Sequence, residues 1–170
     1  MPIHISGTGS FIPKNKVDNN SFSDKLFFDK DGNEYPNSND EIIEKFQTIT
    51  GIKERRYANK EHKTSDLATF AAQNAIKDAG IDKETIDYII VAHNFGDIEY
   101  GTNQYIALPS VATMVKHKLD ILNENCVAYD IIFGCPGWIE GVIQASAFIK
   151  SKMAKRCLVI GADTLSRTID

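Results

Sequence analysis

Apolar residues recur along this chain with two periods, and each period predicts a different element. In residues 40–50, Ile42, Ile43, Phe46 and Ile49 fall at helical spacing, with Asp40 and Glu41 suited to a first turn and Gly51 to a stop. A second helix is predicted where Leu67, Phe70, Ala71, Ala75 and Ala79 recur every three to four residues between a capping Thr64 or Ser65 and Gly80. Residues 86–93 form a short run rich in β-branched side chains, which predicts a buried strand. Residues 127–133 and 157–161 read the same way, while 109–119 and 135–152 read as helices. Strand, helix, strand, helix, strand predicts an α/β fold: a mostly parallel sheet covered by helices on both faces. Residues 3–13 alternate apolar and small polar positions up to Pro13, which suits a strand ending in a tight turn. Residues 14–40 are polar and carry turn signals at Asp31-Gly32 and Tyr35-Pro36, so they read as a long surface insertion.

Composition narrows the class. The chain has 170 residues, 42% of them apolar and 25% charged, with a formal net charge of -4. One globular domain of that size buries a core without disulfides or a structural metal. The acidic balance disfavours a nucleic-acid grip, because no net positive charge is available to displace counterions from phosphates. No apolar run approaches the roughly 20 residues that span a bilayer, so no membrane partner is expected. The amino terminus lacks the basic flank and apolar core of a secretion signal, and three cysteines make no disulfide framework; both features point to a reducing, cytoplasmic setting.

Most candidate ligand motifs are weak. Gly7 and Gly9 form a G-x-G pair without the third glycine of a dinucleotide fingerprint, and Pro13 blocks a following helix. Asp29-x-Asp31-x-Asn33 resembles a calcium loop superficially, but its glycine is misplaced at Gly32 and position twelve is Asp40 rather than glutamate. A solvated loop is the better reading, and no metal or other cofactor is expected. The informative segment is residues 130–141, where a buried strand runs through Gly134 into Cys135, Pro136 and Gly137 at a predicted helix start. A thiol there points at the end of the sheet, where open α/β folds bind ligands. Amide groups at a helix start favour negative charge, so Cys135 is the candidate nucleophile. Cys126 and Cys157, in apolar strand-like surroundings, read as core thiols.

In order along the chain stand Gly7-Thr-Gly9 with Pro13, Thr50-Gly-Ile-x-Glu-Arg55, Ala79-Gly80-Ile81, Ala107-Leu-Pro-Ser110, Asp130 with Gly134-Cys-x-Gly137, and Gly161-Ala-Asp163 with Ser166-Arg167. This succession resembles the β-ketoacyl-acyl-carrier-protein synthase III family over nearly the whole chain. The resemblance implies a thiolase-like half-fold, with residues 1–170 forming the amino-terminal domain. It also implies a condensing acyltransferase of fatty-acid, polyketide or related lipid synthesis, in which Cys135 forms an acyl-cysteine that is extended by decarboxylative Claisen condensation. The family's histidine and asparagine for decarboxylation belong to its carboxy-terminal half, so residues 1–170 alone are not expected to complete condensation. His93, at the carboxyl end of a strand, matches no family catalytic histidine.

The resemblance further places Gly134, Gly137 and Leu108 around the bound substrate, with Leu108 standing where the family has a phenylalanine that reaches into the partner's acyl pocket. Residues 94–107 before it are enlarged, which predicts an altered acyl pocket. Lys45 and Ile49 stand where other members have a tryptophan and an arginine for coenzyme A, so a donor bound to acyl carrier protein becomes plausible beside coenzyme A. Lys45, Lys53, Arg55 and Arg56 are then candidates to meet an acidic carrier protein, against the plainer reading of a solvated helix end. The family is dimeric, and residues 127–133 are expected at the homodimer interface. Two rival readings stay open: condensation without decarboxylation, as in hydroxymethylglutaryl-coenzyme A synthase, and a non-catalytic subunit that shapes a partner's pocket.

Overall fold

The computed structural model describes residues 2–102 and 104–168, and the chain divides into two compact units, residues 13–57 and residues 1–12 with 58–170. The smaller unit is built from β1 (Asn15–Asp18), α1 (Asn39–Thr50) and β2 (Glu54–Tyr57), with β1 and β2 paired antiparallel from Asn15 opposite Tyr57 to Asp18 opposite Glu54. Ser38 and Glu41 close a capping box at the start of α1, which satisfies two amide donors that the first helical turn leaves free.

Residues 14–40, expected as a surface insertion, are instead organised around Asn19. Its buried amide donates to Gln47 and to the Ile52 carbonyl, and its oxygen accepts from the Arg55 guanidinium at 2.9 Å. That guanidinium also lies over the rings of Phe22 and Phe46, with centroids at 4.9 and 5.3 Å. A planar cation stacked between aromatics replaces the apolar core this segment lacks. Asp29 accepts the N–H groups of Asp31 and Asn33, so the sequence that resembles a calcium loop closes on itself; these bonds, Asn33 first, hold the Asp29 carboxyl below its ordinary range.

In the larger unit, α2 (Thr64–Ala79) precedes β3 (Tyr88–His93), a hairpin of β4 (Asp97–Ile98) and β5 (Tyr105–Ile106), α3 (Val111–Lys118), β6 (Val127–Ile132), α4 (Gly137–Lys150) and β7 (Cys157–Gly161). The strands β6, β3 and β7 lie in that order, both pairings parallel. The chain steps from β3 to β6 in one direction and from β6 back past β3 to β7 in the other. Right-handed crossovers therefore put the connecting helices on opposite faces.

Side-chain alternation along β3 follows from this. Ile89 and Val91 join Ala68, Ala72, Val111, Val115 and Ile160 in the buried core beneath α2 and α3. On the other face, α4 packs so closely that a methyl group added at Gly141 would lie 2.8 Å from Val159 and 3.5 Å from Ile90. A strand covered on both sides has no polar face, which is why residues 89–92 are continuously apolar.

Two expectations change. Residues 3–12 join no ladder; both edges of β3 are taken, and the segment bonds to α2 instead. There the Thr8 N–H donates to Asp78, and the Asn74 amide donates to the Ser10 carbonyl. Neither Thr64 nor Ser65 caps α2. Lys63 holds the cap position, and its N–H donates to the Asp66 carboxylate at 2.8 Å. Asp97, distant in sequence, accepts from both the N–H and the hydroxyl of Ser65, each at 2.7 Å.

Candidate active site

The carboxyl ends of β3, β6 and β7 lie side by side, with His93 opposite Ile132 and Ala92 opposite Gly161. Cys135 follows the end of β6 by three residues, in a turn closed by the Gly137 N–H donating to the Gly134 carbonyl at 3.1 Å. The helix predicted from residue 135 begins at Gly137, with Pro136 in the cap position, so Cys135 stands one residue ahead of the cap. Its side chain is exposed. Gly134 is exposed as well, whereas Gly137 is buried; a Cβ there would meet the Ala92 Cβ at 3.1 Å. Gly137 thus lets the first turn of α4 close onto β3 beside the cysteine.

The other two thiols have a different setting. Cys126 is buried, and burial pushes its thiol up from the ordinary value. Burial, aided by Asp87, pushes Cys157 up to about 11. A thiol that stays protonated is a poor nucleophile, and of the three cysteines Cys135 is the one whose side chain is exposed.

Five residues before Cys135, the Asp130 carboxylate reaches from β6 to the start of α3. It accepts the Val111 N–H at 2.8 Å and the Ala112 N–H at 2.7 Å. The same carboxylate lies 2.9 Å from Nε2 of His93, whose ring is 4% exposed. Nδ1 of that ring accepts the Gly96 N–H at 2.9 Å. One imidazole nitrogen is therefore an acceptor and the other carries the proton, which is given to Asp130. Neither nitrogen is free to serve as a base for Cys135. Asp163 holds the same turn by accepting the Asn94 N–H and side-chain amide, at 3.0 and 2.6 Å, and Arg167 donates to the Ile98 carbonyl at 2.7 Å. This network was only half visible in the sequence. Its signal is an aspartate inside an apolar strand run, since a buried carboxylate must find donors.

From this pinned base the β4–β5 hairpin, read from sequence as a plain loop, extends to exposed Tyr100, Tyr105 and Ile106. Leu108 follows it, 84% exposed, two residues before the Ser110 cap of α3. The basic candidates lie in the smaller unit and differ among themselves. Lys45 on α1 and Lys53 before β2 are exposed. Residues 54–57 are a strand rather than a solvated helix end, and Arg55 is turned inward to Asn19. Arg56 is exposed and paired with Glu54 at 3.1 Å.

Among the described residues no group of three or more His, Cys, Asp or Glu side chains is arranged to hold a metal ion, and no helix is long and apolar enough to cross a membrane.

Comparison with known proteins gives a consistent picture. The family described as 3-Oxoacyl-[acyl-carrier-protein (ACP)] synthase III matches residues 129–170. The β-ketoacyl-[acyl-carrier-protein] synthase III of Neisseria meningitidis serogroup C is 42% identical over 166 residues, 98% of this chain and 45% of that protein. Its counterpart in Paracoccus denitrificans is 37% identical, again over 98% of this chain and 44% of that protein. The crystal structure of 3-oxoacyl-[acyl-carrier-protein] synthase III from Aquifex aeolicus VF5 superposes with a TM-score of 0.77 at 34% identity, covering 98% of this chain and 46% of that one. The chain thus spans about half the length of the curated relatives it matches.

Proposed function

Since this chain belongs to the 3-oxoacyl-[acyl-carrier-protein] synthase III family and has a thiolase-like α/β fold, we propose that it is the amino-terminal domain of a condensing acyltransferase in fatty-acid or related lipid synthesis. The observation that carries this reading is an exposed Cys135 at the turn between β6 and α4, at the carboxyl end of the sheet, where open α/β folds bind ligands, while burial pushes the other two thiols up.

The thiolate of Cys135 attacks the carbonyl carbon of an acyl thioester. A sulfur–carbon bond forms to Cys135, the bond to the donor's sulfur breaks, and the departing thiolate takes a proton from solvent. Amide groups of the turn leading into α4, including that of Cys135, stabilise the tetrahedral oxyanion. Gly134 and Gly137 keep side chains out of the carbonyl's approach. Leu108, with the hairpin before it, borders the acyl pocket of the partner copy, and that pocket differs in shape from that of members with a phenylalanine there. In the whole enzyme the acyl-cysteine is then extended by decarboxylative Claisen condensation: a malonyl thioester of the carrier protein loses carbon dioxide, its carbanion bonds to the acyl carbon, and the Cys135 thiolate leaves.

Lys45 and Lys53 offer positive charge to an acidic acyl carrier protein, a donor beside coenzyme A. Arg55 is withdrawn from that role by its bonds to Asn19. The outer edge of β6 has no strand partner among the described residues, and Val127, Ile132 and Phe133 are exposed along it, which supports a homodimer joined at this edge. The reading places the enzyme in the cytoplasm.

The decisive experiment is mass spectrometry of the protein after incubation with acyl thioesters of acyl carrier protein and of coenzyme A. Acyl mass is expected on the peptide bearing Cys135 and is expected to vanish in Cys135→Ser. Absence of an adduct with every donor would instead favour the non-catalytic, pocket-shaping subunit.

A further inference from the structure

We propose that His93 is a positioning residue for acyl transfer at Cys135: as the Nε2–H tautomer it ties the start of the 94–106 segment to the strand that delivers the cysteine. The proposal rests on the acyl-transfer reading above.

Three pieces of backbone meet at this ring. The Gly96 N–H reaches it from the turn after β3. The Asp130 carboxylate reaches it from β6, five residues before Cys135. Through the same carboxylate it is linked to the first two amides of α3, Val111 and Ala112. Both ends of the segment that carries the exposed hairpin and Leu108 are thereby referred to one point on β6.

Packing alone does not require a histidine here. The four preceding residues of β3 are Ile89, Ile90, Val91 and Ala92, all buried, and an apolar side chain would continue the run. A buried imidazole with both nitrogens engaged is costly unless its bonds are made, so its presence fixes an orientation that an apolar residue would leave loose. Cys135 is exposed; what the ring fixes is a rim formed by the turn after β3 beside the strand that delivers the cysteine. A displacement of such a rim by about 1 Å is enough to slow a positioned reaction severely.

Two substitutions separate this role from simple support of the fold. His93→Phe keeps the ring's bulk and removes both bonds, whereas His93→Gln restores a side-chain N–H toward Asp130. The readouts on the same protein are the second-order rate of Cys135 acylation by an acyl-N-acetylcysteamine thioester and the rate of Cys135 alkylation by iodoacetamide, both followed by mass spectrometry. We expect His93→Phe to slow acylation roughly tenfold while changing alkylation less than about twofold, and His93→Gln to recover acylation to within about threefold of the original. Nitrogen-15 spectroscopy of the unsubstituted protein should find the His93 proton on Nε2. Acylation by the Phe variant at the original rate overturns the role of His93 and leaves the acyl-transfer reading standing. Equal losses of acylation and alkylation in both variants overturn it too, as damage to the fold. Failure of the unsubstituted protein to accept an acyl group from any thioester removes the acyl-transfer reading, and the proposal falls with it.

Discussion

Cys135, Cys126 and Cys157 share one side chain and differ in what surrounds it. Limiting iodoacetamide near pH 8 should label Cys135 before Cys126 and Cys157, because the first is exposed and burial pushes the other two thiols up, Cys157 to about 11. Tryptic mapping of the alkylated cysteines checks that order. Asp66 gives a pH prediction with a definite sign. Burial raises its carboxyl, but the Lys118 ammonium 2.5 Å away and the Lys63 N–H outweigh that and hold it below the ordinary carboxylate value. A carboxyl lowered in the folded state stabilises the protein above its unfolded value of about 3.9, and that contribution is lost as pH falls through the lower folded value. Asp66→Asn is therefore expected to lower the melting temperature at pH 7 and to flatten its decline in acid. Parallel melting curves for the two proteins across pH 2 to about 5 would contradict this assignment.

At the scale of elements, α4 is positioned by what it lacks. Gly137 and Gly141 bring its backbone onto the sheet, and added methyl groups would stand 3.1 Å from Ala92 and 2.8 Å from Val159. Gly141→Ala is expected to cost about 1–3 kcal/mol through overpacking, read as a lower urea midpoint with an unchanged slope. The substitution moves the helix that follows the Cys135 turn, so acylation should slow as well. The start of α2 shows the limit of local reading. Thr64 and Ser65 have the chemistry of caps, but they are drawn into tertiary bonds: Thr64 pairs its hydroxyl with Thr164 at 2.9 Å, and Ser65 serves Asp97. Residues 3–12 have the alternation of a strand, yet alternation fixes only which side chains share a face, and this segment is held against α2 through Asp78 and Asn74 rather than at a sheet edge.

For the whole molecule, the open question is what covers β6. An edge strand with Val127, Ile132 and Phe133 exposed at 46%, 65% and 52% is a template for further pairing. If two copies meet there, Ile132→Lys should convert a dimer to a monomer in sedimentation, with little change in the far-ultraviolet circular dichroism. A monomeric unsubstituted protein would remove the homodimer from the reading. The smaller unit makes a separate prediction. Asn19 and Arg55 supply much of its interior, so Arg55→Ala should open residues 13–57 to proteolysis well before the sheet of the larger unit is cut.

The sheet strands and the main helices were legible because each is long enough for its period to show: β-branched runs at residues 86–93, 127–133 and 157–161, and helical stripes ending at Gly51 and Gly80. The turn bearing Cys135 was legible too, through Gly134, Pro136 and Gly137, whose backbone preferences act locally. Local preferences are written into consecutive residues and survive without knowledge of the fold. What only the tertiary structure decided are pairings between residues far apart in sequence: Asn19 with Arg55, Ser65 with Asp97, and His93 with Asp130. A polar side chain declares that it needs a partner, but the partner is chosen by which strands and helices come to lie side by side, and no periodicity within a single segment carries that information.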